Sequence, residues 1–349
     1  MDLWAEVAIG LVAGEVLSYG KTYDLMNLIM TGQLGEIRLA AYLSLLQARG
    51  VSVDELRALA DSMRAHAVKI DLPEASLDIV GTGGDKAGTA NFSSMASIIA
   101  ASCGVPVVKH GNRSATSACG AADALESLGL KLNLDNDQIV RIFREIGLAF
   151  LFANKFHPAM KYAAPVRRAL EFRTVFNLLG PLSNPVGAQA MAVGVAQKSA
   201  APLVAGVFAS RGNSALVFRG ETYGLDELTN VEPARIWEVR DGEVSEHVVD
   251  FVAELDLRPA TLEELKGGQP DYNASLIRQV VNGENQAMVT VACLNAAAGL
   301  VSAEPVVKGL DLGGGDLLSR FKVAFQMAKA SIAEGKAKRL LDQWIELSN

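Results

Sequence analysis

A chain of 349 residues, half of them hydrophobic and 6% aromatic, can bury an aliphatic, alanine-rich core arranged as one large domain or two unequal ones. Its formal net charge of −7 argues against a general nucleic-acid or membrane-surface binder, which needs a cationic face, yet leaves room for a local anion site. The three cysteines, Cys103, Cys119 and Cys293, are odd in number and lack CxxC spacing, so they read as reduced core residues.

The N-terminus carries Asp2 and Glu6 and no early Lys or Arg, unlike a secretory signal. The longest apolar stretches read as broken by Gly, Pro or Lys before they could span a bilayer. A cytoplasmic, soluble protein with no membrane or nucleic-acid partner is expected. Residues 1–70 read as helices only. Apolar residues recur at helical spacing in Leu25, Leu28 and Ile29 and again in Leu39, Tyr42, Leu45 and Leu46. Gly32 and Gly50 stand where helices end, and Ser52 with Glu55 makes a capping box. These helices form a small all-helical domain.

From Asp71 onward strands and helices alternate over residues 71–349. Strands are predicted at 77–80, 105–108, 148–152 and 214–219, and helices at 91–103, 116–128, 136–147 and 158–170. The fold class is therefore α/β with a small all-helical domain, built on a mostly parallel central sheet covered by helices. Ligands of such a sheet bind at the carboxyl ends of its strands.

Two of those ends repeat one device. The run Leu77 to Val80 leads into Gly81-Thr82-Gly83-Gly84-Asp85, and Thr89, Asn91, Ser93 and Ser94 then open a helix. The run Val105 to Val108 leads into Lys109-His110-Gly111-Asn112-Arg113, followed by Ser114, Thr116 and Ser117. A strand, a tight turn and a helix start gather backbone N–H groups and a positive dipole end at one spot, and glycine lets a phosphate come close. GTGGD is neither a dinucleotide fingerprint, because Lys86 stands where a third glycine belongs, nor a Walker loop, because no GK[ST] follows. Glycine turns between strand and helix are also common without a ligand, so the residues by themselves indicate an anion site, with Lys109 and Arg113 as cations that would suit several phosphates.

Further along, Asn177 to Pro185 reads as a hinge. Asp226 and Glu227 follow a loop at another strand end, where they are either solvated charge or magnesium ligands. Ile236 to Val239 suggests a strand, Asp241-Gly242 a hairpin turn, and stretches near 273–283, 286–301 and 317–346 helices. No Ser–His–Asp pattern, nucleophile elbow or HExxH motif occurs. His66 and His247 read as surface residues, His157 before Pro158 as a packing or substrate residue, and His110 as a turn residue whose role stays open.

GTGGD, TANFSS and KHGNRSATSACGAADALESLG, with Phe150 to Pro185 and the segment GLDELT at Gly224 to Thr229, resemble the anthranilate phosphoribosyltransferase family over nearly the whole chain. The resemblance implies transfer of a phosphoribosyl group from phosphoribosyl pyrophosphate to anthranilate, with two magnesium ions per subunit. It implies a homodimer through the helical domain, which a segment near 169–190 joins. By the same resemblance phosphoribosyl pyrophosphate is held by Gly81, Gly84, Asp85, Thr89, Asn91, Ser93, Ser94, Lys109, His110, Gly111, Asn112, Arg113, Ser114, Ala115, Thr116, Ser117 and Ala121. Anthranilate meets Gly81, His110, Asn112 and Arg167, and magnesium meets Ser93, Asp226 and Glu227. No covalent nucleophile is implied.

Some positions depart from the family pattern. Ser94 stands for a threonine, Thr116 and Cys119 for serines, Ala121 for a serine, and Arg219 for a histidine. Asn230-Val231-Glu232-Pro233 stands where a TGPT-like run is usual. A pyrimidine nucleoside phosphorylase is the alternative enzyme, but it needs a KxSGR second turn that Lys109 to Arg113 does not match. A non-catalytic paralogue that binds ligand or nucleic acid is the alternative from another class.

Overall fold

The structure, a computed structural model, describes residues 3–114 and 118–349. The expectations for Ala115, Thr116 and Ser117 lie outside these residues. The chain divides into two compact units, residues 1–69 with 153–187, and residues 70–152 with 188–349.

The helical unit contains α1 (Leu3–Val12), α2 (Tyr19–Met30), α3 (Glu36–Arg49) and α4 (Val53–Ala65). Leu25, Met26, Ile29, Leu39, Tyr42, Leu43, Leu46, Leu56 and Leu59 are buried at helical spacing, which is what makes each helix bury one face. Ser52 and Glu55 form the expected capping box. Glu55 is also the lock of the unit. Its fully buried carboxylate accepts from Leu17 N–H at 2.9 Å, Ser52 N–H at 2.9 Å and Arg49 Nη2 at 2.6 Å. Residues 153–187 add short elements. The helix predicted at 158–170 is two pieces, a 3₁₀ turn at Pro158–Tyr162 and an α-helix at Ala164–Leu170. Pro165 explains the break, since its ring cannot continue a helix begun before it.

The second unit is a seven-stranded sheet in the order β3-β2-β1-β4-β5-β6-β7. The strands are β1 (Leu77–Gly81), β2 (Val107–Gly111), β3 (Leu148–Phe152), β4 (Ala190–Gly194), β5 (Ser214–Gly220), β6 (Ala234–Arg240) and β7 (Glu243–Val249). Strands β1 to β5 pair in parallel, and β6 and β7 add an antiparallel hairpin. The α/β class and the mostly parallel sheet are as expected. β2 starts two residues later than predicted, after Pro106, which has no N–H to place in a ladder. β4 went unpredicted because Ala190-Met191-Ala192-Val193-Gly194 is buried throughout and too rich in alanine to read as a strand.

The unit also holds α5 (Phe92–Ser102), α6 (Ala121–Ser127) and α7 (Asn136–Ile146). α6 begins later than the predicted 116, at the point where Asp123 reaches back to cap Gly120. The helix Gln286–Ala303 runs through the core against β1, so close that a Cβ on Gly299 would meet Ile79 Cδ1 at 2.7 Å. It is long and apolar enough to cross a membrane, contrary to the sequence reading, because Gly299 does not break it; it is instead a buried core helix.

Candidate functional site

Strand order reverses between β1 and β4, and in a parallel sheet the crevice at such a reversal, beyond the strand carboxyl ends, is where ligands bind. Gly81 and Gly194 are register partners at that edge. Asp226 crosses above both. A Cβ on Gly81 would lie 2.6 Å from Asp226 Oδ2, and one on Gly194 would collide with the Asp226 carbonyl. The turn after β1 is tied down here. Gly83 N–H donates to Asp226 Oδ2 at 2.6 Å, Thr82 N–H to the Gly194 carbonyl at 2.9 Å, and Ala196 N–H to Thr82 Oγ1 at 3.2 Å. Gly83, Gly84, Lys86 and Gly88 all take positive φ, so the turn needs glycine for its path as well as for access.

Three carboxylates influence one another at this edge. Burial, and then Asp85, push the Asp226 carboxyl up to about 7. Glu227 is held well above its ordinary value, first by loss of water and then by Asp226 and Asp85, against the opposing pull of Lys109 and the Ser93 N–H. Asp85 Oδ1 accepts from Ala87 N–H at 3.1 Å, while its Oδ2 is buried without a hydrogen-bond partner among the described residues. Two acids raised by burial and by a neighbouring carboxylate are short of a cation. A pair of carboxylates suits magnesium, which takes one or two of them and completes its shell with water and phosphate oxygens. Among the described residues no three His, Cys, Asp or Glu side chains have the spacing of a metal cage, so protein ligands alone would not close the shell.

Lys109 enters from β2, 2% exposed, and donates to the Ile79 carbonyl at 2.5 Å and toward Ser93 Oγ at 3.2 Å. Burial lowers its ammonium, and Asp78 and Glu227 work against that. Ser93 and Ser94 lie in the first turn of α5, whose N-cap Asn91 makes no side-chain capping bond. Ser94 Oγ is buried with no partner among the described residues. Asn91 faces sideways. Its Oδ1 accepts from Asn273 Nδ2 at 2.8 Å and its Nδ2 reaches the Cys119 carbonyl at 3.4 Å, while Asn273 Oδ1 takes the Gly268 N–H at 2.6 Å. Thr89 forms a bridge with Lys266, and Gly267 N–H donates to the Gly88 carbonyl, so the far end of the turn is braced too.

In the second turn, His110 is buried and its N–H donates to Asp78 Oδ1 at 3.2 Å. Gly111 pairs with Phe152 of β3, and a Cβ on it would meet Phe150 at 2.8 Å. Asn112 Oδ1 accepts from Arg113 N–H at 2.8 Å. Ser114 and Ala121 flank the neck of the loop. Arg113 turns to Asp123 and Glu126. Arg167 belongs to the helical unit, half-buried, with its guanidinium 5.4 Å from the Phe176 ring centre and no carboxylate partner among the described residues; burial lowers its pKa. His157 is buried in that unit and held down at about 4 by burial. His66 and His247 are less exposed than expected, hydrogen-bonded to Asn27 and to Ser245.

Four site residues escaped the sequence reading. Asp78 is a fully buried acid in an otherwise apolar strand, and that oddity was a signal. Asn273, Asp123 and Asn295 lie on helices whose sequences give no such sign. Asn295, on the core helix, accepts from Leu228 N–H at 3.0 Å and donates to the Leu228 carbonyl at 2.9 Å, fixing the chain just past Glu227.

Comparison with known proteins places this architecture. Residues 74–338 match the model of the glycosyl transferase family a/b domain, and residues 7–67 that of its helical bundle domain. An anthranilate phosphoribosyltransferase of Arthrobacter sp. (strain FB24) is 43% identical over 99% of this chain and 96% of its own length. That of Thermobifida fusca (strain YX) is 44% identical over 99% and 97%. The chain belongs to the anthranilate phosphoribosyltransferase family. It is an enzyme of the glycosyltransferase class. The crystal structure of the Thermus thermophilus member has a TM-score of 0.87 at 37% identity and covers 98% of this chain and 99% of that one. A Saccharomyces cerevisiae member, solved in complex with PRPP and Mg, shares the fold at 24% identity with a TM-score of 0.85, covering 99% of this chain and 97% of that one. In this chain the turn after β1, the buried Lys109 of β2 and the pair Asp226 and Glu227 gather around the end of β1.

Proposed function

We propose that the protein transfers the 5-phosphoribosyl group of phosphoribosyl pyrophosphate to the amine of anthranilate, releasing pyrophosphate, in tryptophan biosynthesis. The observation that carries this reading is the meeting of the Gly81–Asp85 turn, Ser93, Lys109, Asp226 and Glu227 at one sheet edge. Gly81, Gly84, Asp85, Thr89, Asn91, Ser93 and Ser94 take the phosphoribosyl pyrophosphate, and the Ser94 hydroxyl, without a partner among the described residues, finds a phosphate oxygen. Lys109 lies where it can neutralise the pyrophosphate. Breaking the C1–O bond develops positive charge on the sugar and negative charge on the leaving group, so placement and charge handling suffice and no protein nucleophile is needed.

Asp226, Glu227 and the Ser93 hydroxyl would hold magnesium, which when bound offsets the charge of the departing pyrophosphate. His110 and Asn112 line the acceptor side, and Arg167 pairs with the anthranilate carboxylate, a match for its planar fork and for its half-buried state without a carboxylate partner among the described residues. The amine then attacks C1 from the face opposite the pyrophosphate. Two magnesium ions per subunit, a homodimer formed through the helical unit and a cytoplasmic location belong to the same reading.

The test is direct. The protein incubated with anthranilate, phosphoribosyl pyrophosphate and magnesium consumes anthranilate fluorescence, and Lys109→Ala abolishes the loss while leaving the circular dichroism unchanged. Wild-type protein that leaves the fluorescence constant with every component present refutes the assignment.

A further inference from the structure

Arg113 ends the second turn, yet its charge faces its own chain. Its Nη1 meets Asp123 Oδ1 at 2.9 Å and Glu126 Oε2 at 2.5 Å, and its Nη2 meets Glu126 Oε1 at 2.8 Å. The other oxygen of Asp123 accepts two backbone N–H groups from opposite sides of the loop neck, Ser114 at 3.2 Å and Gly120 at 2.9 Å. The two strands of the neck touch. A Cβ on Gly120 would lie 2.6 Å from the Arg113 carbonyl carbon, in contact with backbone that cannot give way. The Asn112 carbonyl also accepts from Ala122 N–H at 3.2 Å, so the start of α6 is stitched to the start of the loop.

We propose that Asp123 is a positioning residue for phosphoribosyl pyrophosphate: it clamps the neck that carries Asn112 and Ser114, and Arg113 is part of that clamp, not a phosphate ligand. The proposal rests on the functional reading above. A carboxylate with one oxygen on two amides and the other on a guanidinium fixes both ends of the loop with a single side chain. Ser114 and Gly120 are thereby held in place before substrate arrives, and less ordering of these two residues remains at binding.

A double-mutant cycle on Arg113 and Asp123 tests this, reading the Kd of phosphoribosyl pyrophosphate with magnesium by calorimetry alongside steady-state kinetics. Arg113→Ala and Asp123→Ala each weaken binding about 10-fold, the scale of losing a charged hydrogen bond, and the double variant is no weaker than either. kcat and the KM for anthranilate move far less. Asp123→Asn, which keeps an oxygen for the two amides and gives up the Arg113 pair, weakens binding no more than Arg113→Ala does. Amide hydrogen exchange at Ser114 and Gly120 rises in Asp123→Ala, while the core helix Gln286–Ala303 stays protected. If the two losses multiply in the double variant, or Arg113→Ala weakens binding while Asp123→Ala does not, Arg113 touches phosphate and the clamp is wrong. Wild-type protein that neither binds phosphoribosyl pyrophosphate nor consumes anthranilate overturns the functional reading itself, and the clamp's role with it.

Discussion

Two buried acids, one in each unit, are treated in opposite ways. Glu55 in the helical unit is surrounded by donors, two backbone N–H groups and the Arg49 guanidinium, so its burial is fully compensated. Asp226 in the α/β unit is also buried but faces Asp85 and Glu227 and has one backbone donor from the turn, Gly83. The first arrangement holds helices together. The second stores repulsion that a cation relieves, and it stands at the edge where the strand order reverses. The contrast separates a structural carboxylate from a binding one better than burial does.

The sharpest way to break the comparison is to neutralise both kinds of acid and watch which property falls. Asp226→Asn with Glu227→Gln should lower kcat/KM by about 1,000-fold or more, the several kcal/mol a metal-held charge supplies. The melting temperature should hold or rise, because the substitution removes like charges from a dry site. A fall in stability matching that of a Glu55 variant would mean the pair is structural after all.

Glu55→Ala should do the reverse. Leaving Arg49 and two amides unmatched costs about 3–5 kcal/mol of unfolding free energy, read from denaturant melts, while activity per folded molecule is kept.

A pH series sharpens the same point. Asp226 binds its proton more tightly folded, at about 7, than at its ordinary 3.8, so between those values the native state holds more protons than the unfolded one. Its contribution to stability therefore falls as pH rises from about 4 to 7. The denaturation midpoint of wild type minus that of Asp226→Asn should decline across this window in magnesium-free buffer. Saturating magnesium should flatten the decline, since bound metal favours the ionised form; a flat difference without metal would contradict the raised acid.

The smallest effect is expected at Asn295. Asn295→Leu leaves the Leu228 N–H and carbonyl without partners at about 1–3 kcal/mol. The magnesium dependence of activity should shift to higher concentration, because the acidic turn loses its support. An unchanged magnesium response would assign Asn295 to stability alone.

Much of this molecule was legible in the chain. Helical periodicity marked the bundle, Ser52 and Glu55 marked the start of α4, and the alternation from residue 71 onward marked a parallel sheet, because these signals act over a few neighbouring residues. The turns at Gly81 and Gly111 and the pair Asp226 and Glu227 were singled out by residue type and position. What stayed hidden is non-local. That β4 pairs with β1 and puts Gly194 beneath Asp226, that Asn273 orients Asn91 across 182 positions, and that Arg113 spends its charge on Asp123 depend on segments which meet only once the sheet is assembled. Local propensity is written in adjacent side chains, whereas the field at a carboxylate is the sum over every group that packing brings near it, and only the tertiary structure decides that sum.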